Sequence, residues 1–127
     1  MSELTAVARG VGWASVAIGV LQAAGGSRIE AGMGNVDATV DSHVRFMGAM
    51  FVGYGMSWLD AAQRDDVPRM RLLAALMGAG GASRLLTRAG KGAPHRVHDV
   101  LMLTELACPV VVEALARHQA GSGAAAA

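Results

Sequence analysis

Four apolar runs divide this sequence, and each is closed by glycine, proline or a group of charges. The first, Gly10–Ser27, is eighteen consecutive uncharged residues between Arg9 and Arg28. A helix needs about 18–20 such residues to cross a bilayer. Gly25-Gly26 is expected to end it, and Trp13 suits a membrane–water interface. The second run, Val44–Ala62, is broken only by Arg45 and Asp60. Asp41-Ser42 precedes it and is expected to cap a helix, since such side chains accept the free N–H groups of a first turn. Gly48, Ala49, Gly53, Gly55 and Ser57 form a small-residue stripe, within which Ala49, Gly53 and Ser57 recur once per turn, a spacing that suits close helix contact. Pro68 fits the first turn of a third helix, about Arg69–Ala89, in which Ala74, Gly78 and Ala82 repeat the small stripe. Gly90-Lys91-Gly92-Ala93-Pro94 is a stop and turn. A fourth helix is expected over Arg96–His118, with Pro109 inside it to kink it or free a carbonyl.

No stretch alternates as a strand would, and no heptad or internal repeat is evident. The pattern therefore predicts an all-α, four-helix up-down bundle. It is expected to form one membrane domain over residues 1–120, with a disordered low-complexity tail over 121–127. Only the first run passes a strict hydropathy test. The other three each carry a charge or polar group inside the apolar stretch.

Composition turns this pattern toward lipid. The chain is 53% hydrophobic, with 17 glycines and a mean hydropathy of +0.38. In water each glycine inside a helix costs about 1 kcal/mol against alanine. In membranes small residues let helix backbones approach closely. The net charge of +1, without a basic face, gives no case for nucleic acid. The single Cys108 allows no internal disulfide. The first run has no basic leader and is longer than a signal core, so it is expected to remain in place.

The chemistry then lies in the few polar groups within the apolar runs. Arg84 keeps its proton in any protein environment. Its natural partner is Glu105, alone in the run Val100–Val112. With helices three and four antiparallel, Arg84 lies about 7 Å inside one helix end and Glu105 about 13 Å inside the other. An arginine side chain spans much of that difference. Asp41 and Arg45 are four apart and share a helix face. An up-down bundle brings Asp41, His43, Arg45, Arg84, Arg88, His95, His98, Asp99 and Glu105 to one end. Asp41, His43, Arg45, Arg84 and Glu105 are the candidate ligand-binding or structural cluster. Arg84–Glu105 reads either as a pair that holds helices together or as the wall of a ligand or proton-handling pocket. His95 and His98 lack the further ligands of a zinc site, so no metal is expected. Cys108 reads as a small buried filler, and no catalytic residue or cofactor is expected. Phosphate-loop, dinucleotide and nucleophile-elbow motifs are absent.

Three groups of residues resemble an uncharacterised bacterial family of small membrane proteins, domain of unknown function 4345. They are Asp41-Ser42-His43-x-Arg45-Phe46, Gly80-Gly81-x-x-Arg84-Leu85, and Glu105 followed by Pro109. The glycine turn ending at Pro94 also fits, and helix one matches in apolar character alone. The resemblance covers about residues 5–118 and implies four spans with no assigned activity.

The expected function is that of a small integral membrane protein that binds a ligand or partner through its polar end. The partners would be the lipid bilayer and a membrane protein or a second copy. The alternatives are a membrane enzyme or transporter subunit, with Arg45 and Arg84 clamping an anionic or protonatable substrate beside Glu105, and a soluble ligand-binding bundle. The expected location is the bacterial inner membrane, multi-pass. An even number of spans puts both termini on one side, with the cytoplasm favoured. Basic residues divide five against five between the two ends, so charge assigns no orientation.

Overall fold

A computed structural model describes residues 1–125, with side chains to Ser122. The chain forms α1 (Glu3–Gly25), a single 3₁₀ turn (Gly26–Ile29), α2 (Ala38–Arg64), α3 (Val67–Lys91) and α4 (Arg96–Ala125). These four helices form an up-down bundle, and the described residues contain no strand.

Local chemistry sets each boundary. Ser2 caps α1, its side chain accepting the Thr5 N–H at 3.1 Å. Gly26, at φ +60°, ends it. The cap of α2 is Asp37 rather than Asp41-Ser42. Its carboxylate accepts the Val40 N–H at 3.0 Å, and its carbonyl already receives the Asp41 N–H at 3.1 Å. Asp41 thus sits one turn inside the helix and is free for other partners. Asp65, in the left-handed region at φ 53°, ends α2. Asp66 caps α3, and Pro68 lies in its first turn. The fourth helix does not stop at His118. It continues to Ala125, so the boundary expected at residue 120 falls inside a helix, while Ala126 and Ala127 lie outside the described residues.

The helices pair as two hairpins, α1 with α2 and α3 with α4, and the hairpins meet more sparsely. Glycines make the first pairing possible. A Cβ at Gly12 would lie 3.0 Å from the Gly55 carbonyl oxygen, and one at Gly55 would lie 2.6 Å from that of Gly12. One at Gly48 would lie 2.5 Å from the Ala23 nitrogen. Gly12 and Gly19 are seven apart, as are Gly48 and Gly55, so a seven-residue glycine spacing runs along this seam. Of the small-residue stripe expected on α2, Gly48 and Gly55 form this seam, while Ala49 and Gly53 are exposed and a Cβ at Gly53 would meet nothing. On α3, Ala74 and Gly78 do face inward, but the contact continues to Gly81 and Ala82 is exposed.

The core lies toward the α2–α3 turn, where Leu4, Trp58, Met70 and Val112 are fully buried. An aromatic row on α2 leads out of it. Trp58 meets Tyr54 edge-on at 6.4 Å, and Tyr54 stacks on Phe51 at 5.6 Å. The Tyr54 hydroxyl donates to the Leu73 carbonyl at 2.6 Å and ties the hairpins together. Beyond Phe51 the hairpins part around a cavity. Many large apolar side chains point outward, among them Trp13, Phe46, Met56, Leu72, Leu86 and Val110. One helical segment, Glu3–Ile29, is long and apolar enough to cross a membrane.

Candidate functional site

Small residues on α3 bring α4 close enough for the central ion pair. A Cβ at Gly81 would lie 3.0 Å from both Glu105 Cβ and Leu106 Cγ. One at Gly78 would lie 2.9 Å from Pro109 Cγ. Pro109 carries no N–H to return to the Glu105 carbonyl, four residues earlier. With the backbones this near, Arg84 reaches across one turn further along. Its Nε donates to Glu105 Oε2 at 2.8 Å and its Nη2 to Oε1 at 2.9 Å. This two-pronged geometry is the strong form of an arginine–carboxylate pair. The Glu105 side chain is 16% exposed and that of Arg84 35%.

His98 extends the network. Its Nε2 lies 2.9 Å from the Ala31 carbonyl oxygen, and its Nδ1 lies 3.3 Å from Arg84 Nη1. A carbonyl only accepts, so Nε2 carries the hydrogen and Nδ1 accepts from the guanidinium. A loop carbonyl, a histidine, an arginine and a glutamate thus form one chain of donors and acceptors. Gln22 on α1 donates to Glu30 beside it.

These groups border a cavity of about 300 Å³ between the hairpins. Val11, Ile18, Phe51, Met77 and Leu101 give it chiefly apolar walls with the hydroxyl residues Ser15 and Thr104 among them, and Arg84, Glu105 and Gln22 supply the long polar side chains. A second recess shares Ile18, Gln22, Arg84 and Leu101 and continues to Glu30 and His98. The apolar space therefore ends in a polar rim.

Asp41 and Arg45 form a separate group. Arg45 Nε donates to Asp41 at 2.8 Å. Its Nη1 donates to the carbonyls of Ala23 and Ala24 at 3.0 and 2.7 Å. These are the orphan carbonyls that close α1, where a cation is favourable. Asp41 also accepts the Ser27 N–H at 2.9 Å and its hydroxyl at 2.8 Å. Arg45 first, then the two Ser27 donors, hold the Asp41 carboxyl well below the usual carboxylate range. This group fastens the corner between α1 and α2.

The nine polar residues expected at one end are thus divided. Asp41 and Arg45 close the first hairpin, Arg84, Glu105 and His98 border the cavity, and Arg88 pairs with Asp99. Arg45 is held by Asp41 and the carbonyls that close α1, and Arg84 by Glu105, so the two arginines considered as a clamp on an anionic substrate belong to separate groups. His43 is exposed and makes no side-chain hydrogen bond among the described residues. The His95 Nδ1 accepts the Val97 N–H at 3.3 Å, at the entrance to α4. Among the described residues no three His, Cys, Asp or Glu side chains are placed to hold a metal. Sequence reasoning brought His98 to the same end as Glu105 but gave it no role once a metal was set aside. It missed Gln22, Glu30 and the Ala31 carbonyl. Gln22 is the one long polar side chain in the first apolar run, which was a usable signal. The Ala31 carbonyl left none, because any residue could supply it.

Fold and site together define a small all-α bundle whose inter-hairpin cavity is bordered by a bidentate arginine–glutamate pair. A family model for a domain of unknown function (DUF4345) matches residues 4–115, across all four helices, and the chain belongs to that family. No curated protein and no solved structure matches it.

Proposed function

We propose that this chain is a multi-pass integral membrane protein in which all four helices span the bilayer, and that it binds a small molecule within the bundle. The observation that carries the reading is where side-chain bulk lies. Small residues fill the seams between helices, while Phe46, Met56, Leu72, Leu103 and Val110 are each at least 60% exposed. In water such an arrangement forfeits the burial that drives folding. In lipid the same side chains are solvated, and close backbone packing supplies the attraction.

The charges support it. At one end lie the Asp60–Arg64, Asp60–Arg69 and Glu113–Arg117 pairs, and at the other Asp41–Arg45 and Arg88–Asp99. Between these belts α2 has fourteen uncharged residues from Phe46 to Leu59, a length of about 21 Å. Arginines at either end lengthen the lipid-compatible band by extending their heads toward water. An even number of spans places both termini on one side.

Membranes washed in alkaline carbonate test this. The protein is expected to stay in the pellet, and its release into the wash would overturn the reading.

A further inference from the structure

The cavity and its rim carry an inference about what is bound, which rests on the membrane reading above. We infer that the cavity takes an uncharged, elongated lipophile with a hydrogen-bonding carbonyl or hydroxyl at one end, seated beside Arg84 and Glu105.

The shape gives the tail. The lining on α1 runs from Val11 to Gln22, eleven steps along the helix, or about 16 Å. The walls along that length are chiefly aliphatic, aromatic and methionine side chains, and the volume is about 300 Å³. A chain of roughly ten carbons fits such a length.

The rim gives the head. Arg84 has five N–H donors. Three are committed: Nε and Nη2 to Glu105, and Nη1 to His98. Two therefore remain for an acceptor such as a carbonyl or hydroxyl oxygen. The Glu105 oxygens each accept one N–H from Arg84 and keep lone pairs for a hydroxyl donor.

Charge balance then selects among heads. Glu105 neutralises Arg84, and Glu30 adds a second carboxylate on the rim. A carboxylate or phosphate entering here meets two acids and one already paired cation. Repulsion in so apolar a place is costly. A permanent ammonium would compete with Arg84 for Glu105 but has no N–H to replace the lost donors. The same balance disfavours the anionic substrate considered from the sequence.

Photolabelling of the purified protein in detergent tests this. The probe is a ten-carbon alkyl ketone carrying a diazirine on its chain, and the competitors are decan-2-one, decanoate and decyltrimethylammonium. Saturable labelling is expected on the peptides that hold Phe51, Met77 and Leu101. Decan-2-one is expected to displace it about tenfold better than either charged competitor. Met77→Trp, which fills the cavity from α3, is expected to abolish labelling with helix content unchanged. If Met77→Trp does not fold, Ile18→Phe fills the same space from α1 with the same expectation. Replacing Arg84 and Glu105 together by leucine is expected to weaken displacement by decan-2-one, whose carbonyl then has no donor on the rim. Non-saturable labelling, or labelling confined to outward residues, would overturn the site. Equal or better displacement by decanoate would overturn the uncharged head while leaving the membrane reading intact. Release of the protein by carbonate would overturn that reading separately.

Discussion

Gly19 of α1 and Gly48 of α2 cross so closely that a Cβ on Gly19 would lie 2.7 Å from the Gly48 carbonyl oxygen, and one on Gly48 would lie 2.7 Å from that of Gly19. The clash is mutual and involves backbone, which cannot turn aside as a side chain can. The first hairpin therefore depends on two hydrogen atoms at these positions.

Alanine at Gly19 or Gly48 should force the helices apart and cost about 1–3 kcal/mol each. Gly53→Ala, on the open face of the same helix, should cost nothing, since nothing lies within 4 Å of its Cβ. Thermal unfolding in detergent, followed by circular dichroism, would separate them. A stable Gly48→Ala protein would show that the hairpin tolerates a wider spacing than the structure has.

The Arg84–Glu105 pair is only partly shielded, so breaking it should cost less than breaking a fully buried pair. Arg84→Gln and Glu105→Gln are each expected to lower stability by about 2 kcal/mol, the range for hydrogen bonds to charged groups. The double variant should lose less than the sum, because neither charge is left alone. Additive losses would mean that the two side chains act independently, contrary to their two hydrogen bonds.

Asp41 should make the α1–α2 corner sensitive to acid only at low pH. Its carboxyl titrates far lower in the folded protein than the ordinary value of about 4. A depressed pKa gives stability that is fully present above the ordinary value and is lost as pH falls through the folded one. Wild type should therefore exceed Asp41→Asn in melting temperature by a constant margin from pH 8 to 5. That margin should shrink only below about pH 4. A margin that closes near pH 6 would place the carboxylate in a different environment.

Four spans would put Gly34 and Ala93 on one side of the membrane and Gln63 on the other. With Cys108 replaced by serine, single cysteines at these exposed positions can be labelled in sealed vesicles with an impermeant thiol reagent. Gly34→Cys and Ala93→Cys should react from the same side, and Gln63→Cys only after the vesicles are opened or when their orientation is reversed. Labelling of all three from one side would exclude the four-span arrangement.

Gly26 offers a stricter test of the same corner. Its φ of +60° disfavours any side chain, and a Cβ there would collide with the Asp41 carboxylate and the Arg45 guanidinium. Gly26→Ala should be more harmful than Gly34→Ala, whose Cβ meets nothing. Comparison of their folded yields and melting temperatures would decide it.

Much of this was legible in the residues. Four helices, their short turns and the Arg84–Glu105 pairing follow from breaks in hydropathy and from counting turns inward from each helix end. The helix cap at Asp37 was not separable from Asp41 by type, since both are aspartates near the same helix start. Within the small-residue stripe of α2 the residues that meet α1 were not separable from the rest, because glycine and alanine occur on both its sides. A four-residue count along Ala49, Gly53 and Ser57 is as regular as the seven-residue spacing of Gly48 and Gly55. Which one meets α1 depends on helix rotation, and rotation is fixed by both partners at once.

The order of apolar and polar residues thus determined how many helices form, where the chain turns between them, and which charges lie deep inside them, because these depend on neighbours along the chain. Only the tertiary structure decided that Arg45 turns to the carbonyls at the end of α1, and that the hairpins part to leave a cavity. Those outcomes depend on which glycines lock which seam, and so on the distances between residues far apart in sequence.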